Sequence, residues 1–414
     1  MTLIKLLLSL TVFLTPLLGA TQNIGYEQTK ILFFILSISL MGFLWMLQKP
    51  EIKLTKVTKA AGIFILSLIL TSFLGMDFKA SFLGNPPYLQ GLAVYCYLFL
   101  FSLMVSFFKI KLNYYVFSLT ASGLVVSTLA IEDWILKNLF SFAVPNYAGR
   151  VVSTFGQPNF YAGFLLLTLP FCYLLFKHPE KKLRYLSILS GLAAIIGIFV
   201  SYSRSAILLA LFLLILGLID QLKIKLKLGL VIFGVGALLI STVIALKFSS
   251  GLVGIEFTKP VITNYSDQTK FSVEKRVYIW PQILKIVLEK PITGYGLDNI
   301  NLSFNNYFKK YNHQIFEENL NIQPVLISLK DLNLDRTHNY MLDLLMFSGG
   351  LGLVSWLILV FMLFKKLVQT HNGHSKFVLL TGLLTYLVWV QFQNQSIVHL
   401  IYFWLLVGFI DSNS

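Results

Sequence analysis

Long apolar segments alternate with short polar ones along most of the 414-residue chain. Most apolar segments have about 18 to 20 residues, which is the length a helix needs to cross the hydrocarbon core of a bilayer. The pattern predicts an all-α polytopic membrane protein, because in a lipid environment a helix satisfies its own backbone groups. The twelve predicted spans lie near 3–20, 31–48, 58–75, 91–108, 113–130, 158–176, 185–201, 204–220, 228–246, 340–364, 377–391 and 397–410.

The first apolar segment allows two interpretations. Lys5 precedes a short apolar region, and Leu18-Gly19-Ala20 resembles the cleavage site of a signal peptide. We favour a retained span, since polytopic proteins generally use their first span as the insertion signal. Both interpretations give the same orientation for the rest of the chain.

Composition and the absence of known motifs support the membrane class and argue against several kinds of chemistry. Hydrophobic residues make up 56% of the chain and charged residues 12%, and the mean hydropathy is +0.76, values outside the range of soluble globular proteins. Cys96 and Cys172 both fall inside predicted spans, which argues against a disulfide or a thiolate metal site. No Walker loop, dinucleotide fingerprint or serine nucleophile elbow is present, so neither a cofactor nor ATP-driven chemistry is indicated.

The distribution of basic residues predicts the orientation. One set of alternate connections carries seventeen Lys and Arg residues against four acids, and such an excess marks the cytoplasmic side. Both termini are therefore expected in the cytoplasm. Most of the net charge of +15 is explained by this topology signal and by attraction to anionic membrane lipids, so nucleic-acid binding gains no support.

One connection, about 247–338, is far longer than the others and is expected outside the cytoplasm. Loops of this length are usually functional or disordered. Ser272 as N-cap and Pro291 as terminator bound an amphipathic helix candidate, which Pro281 is expected to kink or split. We therefore predict a small lid on the membrane surface, between spans 1–9 (residues 1–246) and spans 10–12 (residues 339–414).

Arg204 stands in the segment Ser201-Tyr202-Ser203-Arg204-Ser205 at the start of a predicted span. An arginine near membrane depth is costly and is usually retained to hold an anion. The alternative is that its side chain reaches back to the interface from the end of the span. Ser203 and its neighbours favour a polar vestibule in which Arg204 binds an anionic group.

Arg276 lies in the first turns of the predicted loop helix, close to Tyr278 and Trp280. A solvated surface charge is the ordinary state of a loop arginine. Here the helix N-terminus would add to anion binding, and a planar guanidinium suits the oxygens of a diphosphate. Arg276 is therefore a second candidate ligand for an anion.

A third polar group precedes the tenth span and contains Arg336, His338 and Asn339. A histidine at a helix start is most often a cap or packing residue, but a neutral imidazole also accepts a proton from a hydroxyl nucleophile. Asn339 and Asp343 stand four apart, which lets their side chains pair on one helix face. Asp343 is itself a functional candidate because it is an acid inside a span.

A fourth polar segment, 150–159, precedes a span that begins at Pro158. It is either an ordinary loop with proline at the first helical position or a lining of the same outer cavity. In the second interpretation Arg150, Gln157 and Asn159 contact the substrate.

The order and spacing of these motifs over about 80–365 resemble the O-antigen ligase and polymerase superfamily of bacterial membrane glycosyltransferases. The resemblance is carried by Ser201-x-Ser203-Arg204-Ser205, Arg276 followed by Trp280 and Pro291-x-x-Gly294-x-Gly296, His338-Asn339 followed by Gly349-Gly350-Leu351-Gly352, Ser153-Thr-Phe-Gly-Gln-Pro-Asn159, and Phe82-Leu-Gly84 followed by Gly91.

The resemblance implies a GT-C type fold in the bacterial inner membrane, with an extracytoplasmic active site. Members transfer a glycan from an undecaprenyl diphosphate carrier to a glycan, lipid or protein acceptor without metal. Carried over by motif, Arg204 and Arg276 would bind the diphosphate and His338 would activate the acceptor. Ligase, polymerase and protein O-oligosaccharyltransferase activities all remain open at this point.

Two functions from outside this family compete with the transferase. A transporter or lipid flippase is also compatible with twelve spans, but it predicts internal repeats and charges deep within the spans. We find no internal repeat, and the polar residues cluster at the outer ends of spans and in one loop. A polymerase of the lipid II type would use an outer acid such as Asp298, Asp331 or Asp335 as its base. The Arg-Arg-His order is better explained by the O-antigen ligase type.

Overall fold

The computed structural model describes residues 2–48, 54–109, 111–221, 271–318, 334–370 and 373–412. The predicted span at 228–246 and the acid Asp331 lie outside these residues. Within them the fold is almost entirely helical, with one two-stranded antiparallel hairpin that pairs Asn146–Tyr147 (β1) with Arg150–Val151 (β2).

The helices follow the predicted spans closely. Seven of the described helices are long and apolar enough to cross a membrane, which confirms the helical membrane class; the total of twelve spans stays a prediction. In chain order the helices are α1 Thr2–Leu14, α2 Tyr26–Met46, α3 Lys56–Phe73, α4 Phe78–Leu83, α5 Leu92–Phe108, α6 Leu112–Leu139, α7 Pro158–Phe176, α8 Lys181–Val200, α9 Arg204–Gln221, α10 Phe271–Glu289, α11 Ile300–Glu318, α12 Tyr340–Thr370, α13 Gly373–Trp389 and α14 Ile397–Ser412.

Local sequence explains where the helices begin and end. The first helix stops at Leu14, short of the predicted boundary, and a 3-10 turn Thr15–Leu17 containing the buried Pro16 follows it, because proline has no N–H to donate to the helix. Pro158 occupies the first position of α7, where that missing N–H costs nothing.

The long connection contains the expected helix and a second helix. The first, α10, begins at Phe271, one residue before the expected N-cap Ser272, and Pro281 lies inside it without splitting it in two. The second, α11, carries several aromatic residues, of which Phe304 is fully buried. Whether these helices lie on a membrane surface remains a prediction.

Backbone pairing fastens the segment after α10 to the middle of α12. Gly349 adopts a φ of +57° that interrupts α12, and the freed backbone groups bond to the segment 291–296. The four bonds are Tyr295 N to Met346 O at 2.8 Å, Gly296 N to Phe347 O at 2.8 Å, Gly350 N to Pro291 O at 2.8 Å and Leu351 N to Ile292 O at 3.1 Å.

Two glycines are required for this close approach. A Cβ added at Gly349 would lie 2.4 Å from the carbonyl of Ile292, and one at Gly294 would lie 2.7 Å from the carbonyl oxygen of Met346. Both glycines also have positive φ, a conformation that costs other residues energy. The motifs around Gly294 and Gly349 therefore take part in the same backbone contact, which fixes α10 relative to α12.

Long-range hydrogen bonds distinguish two ends of the helix bundle. At one end, which we call the motif end, the residue after α13 contacts the start of α12, through Val390 and Tyr340. At the other, which we call the distal end, Asp411 near the end of α14 contacts Thr58 near the start of α3. Arg150, Arg204 and His338 all belong to segments at the motif end.

Candidate functional site

The Arg204 segment forms the turn between α8 and α9 at the motif end. Ser203 is buried, and Arg204 is an exposed residue at the start of α9. Tyr202 has a φ of +54°, a strained conformation for a residue with a side chain. This turn therefore presents the arginine at the helix start, as the sequence predicts.

Arg150 is fastened to that turn. Its Nε and Nη2 atoms donate to the carbonyl of Ser201 at 2.8 and 2.5 Å, and Nη2 also donates to Oδ1 of Asn159 at 3.0 Å. Burial lowers the pKa of Arg150, but a guanidinium stays charged because its ordinary pKa lies far above neutral pH. The structure thus brings the segment 150–159 beside Arg204.

Two charged residues of α2 hold the same region and were not identified from the sequence. Lys30 is fully buried and donates from Nζ to the carbonyls of Leu18 and Thr154, both at 2.6 Å. Glu27 accepts a hydrogen bond from the backbone N–H of Ile397 at 2.8 Å. The pattern of apolar and polar residues does not reveal these contacts of Lys30, because Leu18 and Thr154 are distant in sequence.

Gln157 ends the segment 150–157 as the N-cap residue of α7. Its side-chain Oε1 is buried and has no hydrogen-bond partner among the described residues. A buried acceptor in this state is costly unless a water or ligand occupies it. Gln157 therefore retains capacity to accept a hydrogen bond at the motif end.

The helix that carries Arg276 is joined to the His338 segment by Trp280. The indole Nε1 of Trp280 donates to the carbonyl of Thr337 at 2.9 Å. Arg276 lies four residues earlier in α10, about one helical turn away. The side chains of Arg276 and Tyr278 lie outside what the structure describes.

Arg336 is buried and forms an ion pair with Asp298. Its guanidinium lies 5.0 Å from the centre of the Tyr88 ring and 5.1 Å from that of Phe347, distances at which a cation is attracted to an aromatic face. Burial alone would lower the pKa of Arg336, but the charges of Asp298 and Asp343 and the hydrogen bond to Asp298 together outweigh burial and raise that pKa above its ordinary value. Its Nη2 atom has no hydrogen-bond partner within the described ranges.

Asp298 extends this contact to the loop before α5. Its Oδ2 accepts from the backbone N–H of Asn85 at 2.5 Å, and its carbonyl accepts from Asn85 Nδ2 at 2.8 Å. Asp298 has a φ of +60°. The pair Asp298 and Arg336 therefore ties three chain segments together at the motif end.

His338 lies in a strained turn between two anchored residues. Its φ is +60°, a conformation that costs about 1–3 kcal/mol and is found most often at functional sites. Thr337 donates from N and Oγ1 to Asp343, both at 2.8 Å, and Asn339 donates from Nδ2 to the carbonyl of Gln391 at 3.3 Å. The expected side-chain pair between Asn339 and Asp343 is wrong, because the Asn339 side chain donates to the carbonyl of Gln391 and accepts from the N–H of Leu342 instead.

The connection between α13 and α14, residues 390–396, is the element that joins these segments, and we call it the amide turn. Gln393 Nε2 donates to Oγ of Ser205 at 3.2 Å, and the carbonyl of Gln391 accepts from Asn339. Sequence reasoning treated these residues only as a short connection. A usable signal was present, since four of the five residues 391–395 have amide side chains in an otherwise apolar region.

The arrangement concentrates cationic and hydrogen-bonding groups at one end of an apolar bundle. Arg150 and Arg204 lie on one side of the amide turn and the Arg336 to Asn339 segment on the other, with α10 held by Trp280. Cationic groups of this kind bind phosphate oxygens, while amides and a histidine suit a substrate that carries hydroxyls. The site residues themselves remain predictions.

Comparison with known proteins agrees with this geometry. Residues 189–357 match the O-antigen ligase family. The chain is 26% identical over 310 residues, 70% of its length and 48% of the relative, to a General O-oligosaccharyltransferase of Acinetobacter baylyi. It is 32% identical over 164 residues, 39% of its length and 28% of the relative, to a ComP-specific O-oligosaccharyltransferase of the same organism.

The chain spans about half the length of the first of these relatives and less of the second. The family match covers α9, α10 and the first part of α12, the elements that carry Arg204, Arg276 and the residues after His338. Residues 189–357 therefore match the O-antigen ligase domain, and the resemblance to the O-antigen ligase and polymerase superfamily is confirmed.

Proposed function

We propose that the protein is a membrane glycosyltransferase that moves a glycan from an undecaprenyl diphosphate carrier to an acceptor hydroxyl. One observation carries this proposal: three separate motif segments are hydrogen-bonded into a single arrangement. Ser205, beside Arg204, and Asn339, beside His338, both bond to the amide turn, and Trp280 bonds to Thr337. The match to the O-antigen ligase family supports the class of reaction.

The reaction needs few protein groups, because a polyprenyl diphosphate is already a good leaving group. The acceptor hydroxyl oxygen attacks the anomeric carbon of the first sugar, and the bond from that carbon to the diphosphate oxygen breaks. Arg204 and Arg276 bind the diphosphate and stabilise the charge that develops on it. His338 accepts the proton of the attacking hydroxyl.

The other predicted residues complete the site. Arg150, Gln157, Asn159 and Ser203 surround the diphosphate beside Arg204. Tyr278 and Trp280 contribute from α10.

On the His338 side, Arg336 and Asn339 support the acceptor. Arg336 is held by Asp298, but its Nη2 atom, which has no partner in the described part of the chain, is available to a substrate oxygen. We propose that this site faces away from the cytoplasm in a bacterial inner membrane, with both chain termini on the cytoplasmic side.

The acceptor defines two versions of this function. In the first, the acceptor is a glycan or a glycolipid, as the O-antigen ligase match favours. In the second, it is a protein hydroxyl, because both relatives from Acinetobacter baylyi are named O-oligosaccharyltransferases. The second version has the specific support of these two relatives.

The test uses the purified full chain in lipid nanodiscs with a radiolabelled undecaprenyl diphosphate oligosaccharide. Three acceptors are offered separately: more of the lipid-linked glycan, a lipid-linked core oligosaccharide, and a peptide rich in serine and threonine. Each reaction is run with and without a chelator. Products are separated by size, and the acceptor that becomes labelled identifies the reaction.

Transfer to any acceptor that persists in chelator supports a metal-independent transferase. Label on the peptide favours the oligosaccharyltransferase version, and a ladder of longer lipid-linked products favours polymerisation. No transfer to any acceptor, with the intact lipid-linked glycan moved across the bilayer instead, would contradict the proposal and favour a transporter.

A further inference from the structure

The amide turn divides into residues that fix its conformation and residues that stay accessible. Asn394 and Gln395 are buried, and their partners belong to other parts of the bundle. Asn394 Nδ2 donates to the hydroxyl of Tyr88 at 3.1 Å, and Gln395 accepts from Tyr386 at 2.6 Å. Residues 391–393 are only partly buried. The buried pair therefore holds Gln391, Phe392 and Gln393 in position.

These three residues lie between the two motifs that the proposed reaction uses. Gln393 bonds to Ser205, which is adjacent to Arg204, at 3.2 Å. The carbonyl of Gln391 accepts from Asn339, which is adjacent to His338, at 3.3 Å. In the proposed reaction, the first sugar of the donor must lie between the bound diphosphate and the activated hydroxyl.

The side chain of Gln391 has an unused acceptor. Its Nε2 donates to the carbonyl of Leu387 at 3.0 Å, while its Oε1 is buried without a hydrogen-bond partner among the described residues. Leaving such an atom unpaired costs about 1–3 kcal/mol. A ligand hydroxyl would supply the missing donor.

Sugars are the ligand class that this tripeptide suits. Each sugar hydroxyl both donates and accepts hydrogen bonds, and glutamine side chains offer both functions. Phe392 adds an apolar surface between the two amides, and binding sites for small ligands typically combine such surfaces with a few polar groups.

We infer that Gln391, Phe392 and Gln393 form a binding site for the first sugar of the donor, the sugar that is attached to the carrier diphosphate. This inference rests on the proposed function and adds to it the residues that select the donor glycan. Gln391 and Gln393 bond the hydroxyl groups of that sugar, while Arg204 binds the adjacent diphosphate.

The test compares binding of lipid diphosphates with and without a sugar. The probes are short-chain polyprenyl diphosphate alone and the same lipid carrying glucose, galactose or N-acetylglucosamine. Affinity for the full-length protein in nanodiscs is measured by fluorescence. The variants are Gln391→Leu and Gln393→Leu, and Gln48→Leu, an exposed glutamine after α2, is the matched control.

We expect the wild type to bind at least one glycosylated lipid more tightly than the bare lipid. Gln391→Leu and Gln393→Leu should each reduce that preference by about two- to tenfold, the usual effect of one hydrogen bond. Affinity for the bare lipid should not change, which also shows that the variants are folded. Gln48→Leu should leave every affinity unchanged.

Four results would overturn the inference. If no sugar adds affinity over the bare lipid, or if both variants keep the full sugar preference, the tripeptide does not bind the first sugar, while the proposed transferase stands. If the variants weaken bare and glycosylated lipids equally, the turn has only a structural role. If the wild type binds no lipid diphosphate at all, the proposed function fails together with the inference.

Discussion

The hydrogen bonding of buried polar groups differs between the two ends of the bundle. At the distal end, the carboxylate of Asp411 accepts from the hydroxyls of Thr58 at 2.7 Å and Ser106 at 2.9 Å, and Lys366 lies 3.8 Å away. At the motif end, buried polar atoms of the charged and amide side chains Arg336, Gln157, Gln391 and Asn394 have no hydrogen-bond partner in the described segments, whereas the unpaired atoms toward the distal end, Trp45 Nε1 and Tyr115 Oη, belong to aromatic side chains.

This difference separates structural polar groups from functional ones. Buried polar groups are nearly always paired, because an unpaired one loses its hydration without compensation. A carboxylate that is surrounded by hydroxyls needs nothing more, so we assign Asp411 to packing of α14. The unpaired guanidinium and amide atoms clustered at the motif end fit the proposal that a ligand completes their hydrogen bonds there.

The largest effect is expected from breaking the buried pair Arg336 and Asp298. Asp298→Ala leaves the guanidinium uncompensated, so the free energy of unfolding should fall by about 3–5 kcal/mol. Thermal unfolding of the purified protein measures this. Replacing both residues, with Arg336→Met and Asp298→Leu, should restore much of the loss; a double variant as unstable as Asp298→Ala would show that the pair contributes more than charge compensation.

The next largest effect concerns chemistry rather than stability. Arg204→Ala and Arg276→Ala should each lower glycan transfer by roughly 10²–10³-fold, equivalent to about 2.7–4 kcal/mol of transition-state stabilisation. Stability should stay within about 0.5 kcal/mol of the wild type for the exposed Arg204. Arg184, which is exposed at the other end of α8, provides the control: equal losses from Arg184→Ala would remove the distinction between the two ends.

A smaller effect is expected from disturbing the backbone contact between residues 291–296 and α12. Gly349→Ala introduces a Cβ at 2.4 Å from the backbone of Ile292 at a φ of +57°, and should cost about 1–3 kcal/mol of stability. Gly350→Ala is the matched control, because its Cβ would meet only the carbonyl of Pro291 at 3.4 Å. Similar thermal stability of the two variants would argue against the backbone pairing between 291–296 and α12.

The smallest effect is expected at the distal end. Asp411→Asn keeps the shape of the side chain but replaces charge-assisted hydrogen bonds with neutral ones, a change of about 1 kcal/mol. The melting temperature should fall slightly, and the transfer rate per folded molecule should not change. A large loss of activity in folded Asp411→Asn protein would mean that both ends take part in the reaction.

The helical architecture was predictable because each membrane helix is specified by the length of its own apolar segment. Spans such as 158–176 and 340–364 reappear as α7 and the first part of α12, since a run of apolar residues specifies a membrane helix without reference to distant residues. Helix α10 was predictable in the same way from its local pattern and its terminating Pro291, although it begins at Phe271, before the expected N-cap Ser272. The first helix ends at Leu14, before the predicted end of the span, because Pro16 follows it.

The site was only partly predictable. Arg204, Arg276 and His338 stand out because polar residues are rare beside apolar spans. The pairing of Arg336 with Asp298, of Lys30 with Thr154 and of Gln393 with Ser205 was not predictable. Each pair joins residues 38 to 188 positions apart, and hydrophobic periodicity carries no information on such contacts.

The most direct test of the central claim compares two histidines at opposite ends of the bundle. His338 is proposed to accept the proton of the acceptor, whereas His374 lies 3.4 Å from Asp220 at the distal end. In a single-turnover transfer assay, His338→Ala should be slower than the wild type by roughly 10²–10⁴-fold, the contribution typical of a general base, and His374→Ala should match the wild type. Equal rates for the two variants would contradict the assignment of the active site to the motif end.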